Sequence, residues 1–286
     1  QGAAFYTEDG ETGIEVFKGG LSYNNMLDVD CCLGQLGEFD GTAAVVVKHV
    51  GPCGVAEAAG PGVALENAYA CDPLSAFGGV IGVNFTFTEE CAGLLAKRFV
   101  ECIVAPAFDE AALARLRKKK RTRLVMTGNA MRQRRCVRTV LGGVLVQSRD
   151  DMLLAEDLRF VTDEPPEQAV IEDLLFAWKV VKHVKSNAIV FAAGKRTIGI
   201  GAGQPSRVDA AKIAIRKAGE HGHELAGSVM ASDGFFPFPD SIELAAKAGA
   251  RAVIQPGGSI RDGEVIEAAK AMGVAMAFTG TRHFRH

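Results

Sequence analysis

The stretch "DSIELAAKAGARAVIQPGGSIRDGEVIEAAKAMGVAMAF", residues 240–278, decides the fold class. It reads as helix over 240–248, strand over 251–255, a "PGGS" turn, helix over 262–272 and strand over 274–278. Within the second helix Val265, Ile266, Ala268, Ala269 and Met272 share one face at helical spacing. Short apolar strands alternating with amphipathic helices predict α/β layers.

Working outward, the same rhythm recurs. Strand-like runs stand at 43–47, 79–85, 123–127, 143–147, 188–193, 197–201 and 228–232. Over 167–181, Val170, Ile171, Leu174, Leu175 and Trp178 form a helical stripe. A soft boundary between 130 and 165 divides the chain into units of 1–140 and 141–286. No internal repeat of fixed period is visible. The basic run 115–138 carries eleven Lys or Arg and no acid. It reads as a solvated helix end plus a loop, because no aromatic is interleaved to stack bases.

The chain has 286 residues, 48% of them apolar, and a net charge of −2. That gives no global attraction to nucleic acid or to an acidic membrane. No apolar run approaches the ~20 residues of a membrane helix, and no secretory signal is visible. The chain starts at Gln1 without a methionine, consistent with an absent N-terminal piece. Seven cysteines without a CxxC pair read as reduced core thiols of a cytoplasmic protein.

Several stretches bear on chemistry. In "VVVKHVGPCG" (45–54) a buried strand runs into a turn expected at Gly51, Pro52 and Gly54, with Lys48 and His49 at its edge and no acid before Glu57. Zinc deaminase chemistry would want HxE followed by PCxxC. Gly51 and Ala56 stand where the glutamate and second cysteine belong, so a metal site fails on spacing. In "TIGIGAGQPSRVDAAKIA" (197–214), Gln204 breaks a dinucleotide fingerprint. Its glycines serve either close approach of a ligand or strand packing alone, and Ser206 is placed to cap a helix beside Arg207. The "PGGS" turn opens a helix with Asp262 and Glu264 in its first turn, which suits a neutral ligand better than a phosphate. "SDGFFPFPDS" (232–241) reads either as a loop tucked into the core or as a rigid apolar wall for a flat ligand, with Asp233 and Asp240 at its ends. Asn187 opens a buried strand, and the terminal "TRHFRH" reads by default as a frayed tail.

Taken together these motifs resemble the AICAR transformylase family, the formyltransferase part of a bifunctional purine-synthesis enzyme usually fused to inosine monophosphate cyclohydrolase. The matching segments include "LSYNNMLD" (21–28), "KHVGPCG" (48–54), "DPLSAFGG" (72–79), "WKVVKHVKSNAIV" (178–190), "GIGAGQPSRVDAAKIA" (199–214), "ASDGFFPFPD" (231–240), "VIQPGGSIRDGEVI" (253–266) and "TRHFRH" (281–286). The family has asparagine, alanine and arginine where this chain has Gly51, Gly234 and Pro239. Residues 91–138 match loosely, and the cyclohydrolase part is not represented.

The resemblance implies two cytidine-deaminase-like α/β units, three-layered with mixed sheets and without the zinc. It implies formyl transfer from 10-formyltetrahydrofolate, a co-substrate, to the 5-amino group of AICAR, with no catalytic metal. The implied assembly is a homodimer with shared active sites, with no nucleic-acid or membrane partner. Lys48, His49 and Asn187 are the implied catalytic residues. Gly78, Glu101, Arg207, Phe235 and Arg282 contact the nucleotide, and Val208, Asp240, Ser259 and Ile260 border the folate. A non-catalytic AICAR-binding regulator on the same fold is the alternative.

Overall fold

Residues 2–6, 13–128, 135–154, 157–162 and 164–286 are described in a computed structural model. Two halves repeat one order of elements. The first runs β1 (Glu15–Lys18), α1 (Tyr23–Leu36), β2 (Ala43–Lys48), β3 (Gly51–Glu57), α2 (Pro61–Ala70), the short α3 (Pro73–Ala76), β4 (Val80–Val83), α4 (Glu89–Leu94), β5 (Cys102–Ala105), α5 (Glu110–Leu116) and β6 (Arg123–Met126). A hairpin follows, β7 (Arg135–Val140) and β8 (Gly143–Ser148). The second half runs β9 (Arg159–Phe160), α6 (Gln168–Val181), β10 (Ile189–Ala192), β11 (Thr197–Gly201), α7 (Arg207–Glu220), β12 (Val229–Ser232), α8 (Asp240–Lys247), β13 (Ala252–Gln255), α9 (Asp262–Ala271) and β14 (Ala275–Phe278).

The strands form two six-stranded sheets of matching order, β1-β6-β5-β4-β2-β3 and β9-β14-β13-β12-β10-β11. In each, three strands joined by crossover helices run parallel, and the remaining joins are antiparallel. The expected α/β class with mixed sheets is therefore observed. Both faces of each sheet are covered, which is why strands such as "AAVVV" are apolar without alternation. Val45 and Val47 face a central core, while Ala44 and Val46 face an outer one beneath α2, α4 and α5. In the second sheet Ala252 and Ile254 face the central core, and Val253 faces α7, α8 and α9. The central core holds both α1 and α6, with Trp178 fully buried. The sheets also meet at their hairpin edges. Glu57 N–H donates to Lys195 O at 2.9 Å, and Val55 N–H to Thr197 Oγ1 at 2.9 Å.

The duplication reaches single residues. α1 and α6 are both 14 residues long, and each carries an aspartate, Asp28 or Asp173, at its sixth position. Asp28 Oδ1 accepts the N–H of Val50 in the β2–β3 turn at 2.7 Å, and Asp173 Oδ1 accepts the N–H of Lys195 in the β10–β11 turn at 2.7 Å. Both turns are left-handed: φ is 55° and 65° at His49 and Val50, and 59° and 54° at Gly194 and Lys195.

The nine strand runs read from the sequence all contain observed strands. The expected turn at Gly51 and Pro52 is corrected, because those residues open β3 and the turn is His49-Val50. Six cysteines are buried, but Cys136 is exposed on β7 rather than in the core. Within the basic run, 129–134 lie outside the described residues, and Leu124 and Val125 form a buried strand, so it is more than a loop. Every residue of β7 and β8 is exposed, including Val137, Val144, Leu145 and Val146.

Candidate active site

Lys48 is the last residue of β2. Adjacent residues in a strand point to opposite faces, but the left-handed turn begins at His49 and releases its side chain from that rule. A β-branched residue in this conformation is costly. Val50 is held there by the Asp28 carboxylate and by packing against the central core. Lys48 Nζ donates to the Phe77 carbonyl at 2.7 Å, and among the described residues it makes no ion pair. His49 is exposed. Next to Phe77, Gly78 has φ +71°, and a Cβ there would meet the Phe99 ring at 3.3 Å. Its N–H donates to Phe99 O at 2.9 Å, and Glu101 N–H donates to Gly79 O at 3.0 Å. Lys48, Gly78 and Glu101 thus lie together at one end of the first sheet. Glu101 already accepts from Asn25 Nδ2 at 3.1 Å and from Arg123 Nη1 at 3.2 Å. Burial, followed by the nearby Asp72 charge, pushes the Cys53 thiol up to about 12, so it is not a thiolate nucleophile at neutral pH.

A second group gathers around Asp233, which is wholly buried. Arg207, the first residue of α7, donates from Nη2 to Asp233 Oδ1 at 2.7 Å and from Nε to Ser232 Oγ at 2.8 Å. Ser186 Oγ donates to the other carboxylate oxygen. Asn187 Nδ2 donates to Gln204 O at 2.9 Å and Pro205 O at 3.0 Å, which fixes its amide beside the start of α7. Ser206 occupies the N-cap position, but its side chain makes no cap hydrogen bond. The glycine-rich stretch divides its tasks. A Cβ at Gly199 or Gly201 would lie 2.5 Å or 1.9 Å from the Ala214 or Ala210 carbonyl, so those glycines let α7 pack on β11. Gly203 instead takes φ +65° in the turn.

The terminal residues are tied down rather than frayed. His283 is fully buried, with Nδ1 2.7 Å from Asp150 Oδ2 and its ring 4.7 Å from that of Trp178. Arg285 O accepts from Ser186 N at 2.8 Å. Arg282 remains exposed, with its guanidinium over the Phe284 ring. The phenylalanine loop is split: Phe236 is core, Phe235 is half-buried and Phe238 is exposed under the Arg261 guanidinium at 4.6 Å. Asp233 is the buried centre of this group, and sequence reasoning placed it only at the end of a wall. Its partnership with Arg207 has no local signal.

The remaining residues lie on the rim of the second sheet. Asp240 opens α8 and is exposed, Val208 and Ser259 are half-buried, and Ile260 is fully exposed. Beside Ser259 a cavity of about 360 Å³ is lined by Pro256, Gly257, Gly258, Asp262, Arg159 and Phe278, among others. Asp262 and Glu264 do stand in the first turn of α9, and Glu264 pairs with Arg261.

The antiparallel approach of β3 and β11 at Ala56 and Arg196 brings the β2–β3 turn and the start of β10 to the same end of the chain. Among the described residues no hydrogen bond or ion pair joins the Lys48 group to the Asp233 group. No cluster of three or more His, Cys, Asp or Glu among them is placed to hold a metal ion. No helix among them is long and apolar enough to cross a membrane.

The sequence model of the AICARFT/IMPCHase bienzyme family matches residues 1–217. Among curated proteins, the bifunctional purine biosynthesis protein PurH of Bartonella bacilliformis is 51% identical over 100% of this chain and 57% of its own length. The PurH proteins of Persephonella marina and Caulobacter vibrioides are 52% and 48% identical over 93% and 100% of this chain. The chain spans little more than half the length of these relatives, 52% and 56% for the latter two. With a family match over most of its length, this chain belongs to the AICARFT/IMPCHase bienzyme family.

Proposed function

We propose that the protein transfers the formyl group of 10-formyltetrahydrofolate to the 5-amino group of AICAR, giving formyl-AICAR and tetrahydrofolate. The observation that carries this reading is the Lys48-His49 pair. It comprises an ammonium at a strand end with no carboxylate partner among the described residues and an exposed imidazole in the adjoining left-handed turn. The acceptor amine is conjugated and weakly nucleophilic. It must lose a proton as it attacks, while the formyl oxygen gains negative charge and folate N10 leaves. His49 takes the proton and returns it to N10 as the folate leaves. Lys48 stabilises the oxyanion. Asn187, its amide already fixed by two carbonyls, orients the formyl group.

On this reading Gly78, Glu101, Arg207, Phe235 and Arg282 bind the nucleotide, and Val208, Asp240, Ser259 and Ile260 border the folate. The exposed Phe238, Phe284 and Ile260 on one side, with Leu74 and Phe77 on the other, support a site completed by a second copy of the chain. We infer a cytoplasmic homodimer of two deaminase-like units per chain, without nucleic-acid or membrane partners and without a catalytic metal. The test is tetrahydrofolate release on mixing the protein with AICAR and 10-formyltetrahydrofolate. Absence of release at saturating substrates overturns the reading. Activity abolished by a chelator and restored by zinc overturns its metal-free part.

A further inference from the structure

Asp72 is buried where α2 meets α3, and groups from both halves converge on its carboxylate. Oδ1 accepts the Ser75 N–H at 2.9 Å and Oδ2 accepts Ser75 Oγ at 2.7 Å. From the last turn of α7, Lys217 Nζ donates to Oδ2 at 2.5 Å. His221, which caps that helix, places Nε2 3.1 Å from Oδ1. A further contact, His223 Nε2 at 2.8 Å from Ala70 O, ties the residues after α7 to the end of α2. The formyl-transfer reading gives these groups no task.

What they hold is the support of Lys48. α3 is a four-residue turn, too short to be stable alone. Asp72 caps its start, and the next residue after its end, Phe77, presents the carbonyl that accepts Lys48 Nζ. α7 begins at Arg207 on the Asp233 hub and ends at Lys217 and His221 on Asp72. A 14-residue helix is a rod of about 21 Å. One rigid element therefore touches the nucleotide-side group at one end and the lysine's support at the other.

We propose that Asp72, clamped by Lys217 and His221, is a positioning residue for Lys48: it fixes the α3 turn so that the Phe77 carbonyl aims the ammonium at the reacting group. The proposal rests on the formyl-transfer reading for the identity of the reaction, but not for the geometry.

Asp72→Asn retains an oxygen for the Ser75 cap and removes the charge that Lys217 and His221 meet. Lys217→Met keeps the stem and removes the ammonium. Each should lower kcat by about 10- to 100-fold, the scale of a small misplacement of a reacting group, with KM for AICAR little changed. In a Lys48→Met background, Asp72→Asn should cost nothing further, because it acts only through Lys48. Independently of turnover, competitive acetylation of Lys48, read by mass spectrometry in the resting protein, should change in rate in both variants. Losses that add to those of Lys48→Met overturn the proposal. So does unchanged Lys48 acetylation in a folded variant, whether or not the wild type transfers formyl groups. Wild-type inactivity alone overturns the function reading and leaves the acetylation result to decide the positioning. If Asp72→Asn does not fold, Lys217→Met decides both comparisons.

Discussion

The Asp28 carboxylate accepts the Val50 N–H at 2.7 Å, and that bond holds the turn that frees His49 from the β2 ladder. A helix thus sets where an imidazole points from a hairpin beside it.

His49→Ala should lower turnover by about 10² to 10⁴, the usual contribution of a general base. The residue is exposed and in a turn held from elsewhere, so AICAR binding measured by calorimetry should persist. Near-normal turnover would remove His49 from the mechanism.

Gly234→Ala should disturb Arg207. A Cβ at Gly234 would lie 2.4 Å from Arg207 Nη2 and 2.9 Å from Phe284 Cε1. The guanidinium is pinned by Asp233 and Ser232, so it cannot yield without losing a charged hydrogen bond, about 1.5–3 kcal/mol. The expected outcome is a lower Tm and weaker AICAR binding. Position 51 should behave oppositely: a Cβ there meets nothing closer than the Lys48 carbonyl at 4.0 Å, so Gly51→Asn should fold normally.

Stability should fall on acidification through a buried cluster. Lys182 Nζ lies 3.1 Å and His183 Nε2 2.9 Å from Glu38 Oε1. Burial pushes Glu38 up, but the hydrogen bond and charge of His183, with those of Lys182, outweigh it and hold the carboxyl at about 2. His183 is itself held below its ordinary value, chiefly by burial. Both folded pKa values are depressed, so the unfolded chain binds more protons as pH falls and stability drops. Glu38's contribution is complete above its unfolded pKa near 4.5 and gone below about 2. Urea midpoints measured from pH 4.5 down to pH 2 should fall less steeply for Glu38→Gln than for the wild type, because that window belongs to the Glu38 carboxyl.

Lys48→Ala and Asp240→Ala should complement when unfolded together and refolded, if the two residues serve one site from opposite chains. Random pairing makes roughly half the dimers hybrid, so recovered activity should approach about a quarter of wild type. No recovery despite tagged hybrids would place both residues in one chain's site.

Where the sequence was legible, burial was the reason. Strands such as Val45–Val47 and Ile189–Ala192 are apolar because both of their faces are covered. β3 was missed because Gly51 and Pro52 carry the composition of a turn. The real turn is made by His49 and Val50, which have none, and is imposed by Asp28 from another element. The closing residues were misread for the same reason: His283 is held by Asp150 and Trp178, more than a hundred positions earlier. Asp233 and Arg207 each look ordinary alone. The roles proposed for Lys48, His49 and Asn187 rest on family resemblance, because no single spacing in the sequence encodes a reaction.

The paired turns at His49-Val50 and Gly194-Lys195 bear on how much change the molecule tolerates. They share one backbone shape and one aspartate brace, but Lys195, engaged by Glu172 at 2.8 Å, stands where Val50 does, and Ala193 stands where Lys48 does. The second turn repeats the shape and its brace with different side chains, so the shape belongs to the architecture rather than to those side chains. Substitutions that spare the brace should therefore change the exposed side chains of either turn while the chain still folds.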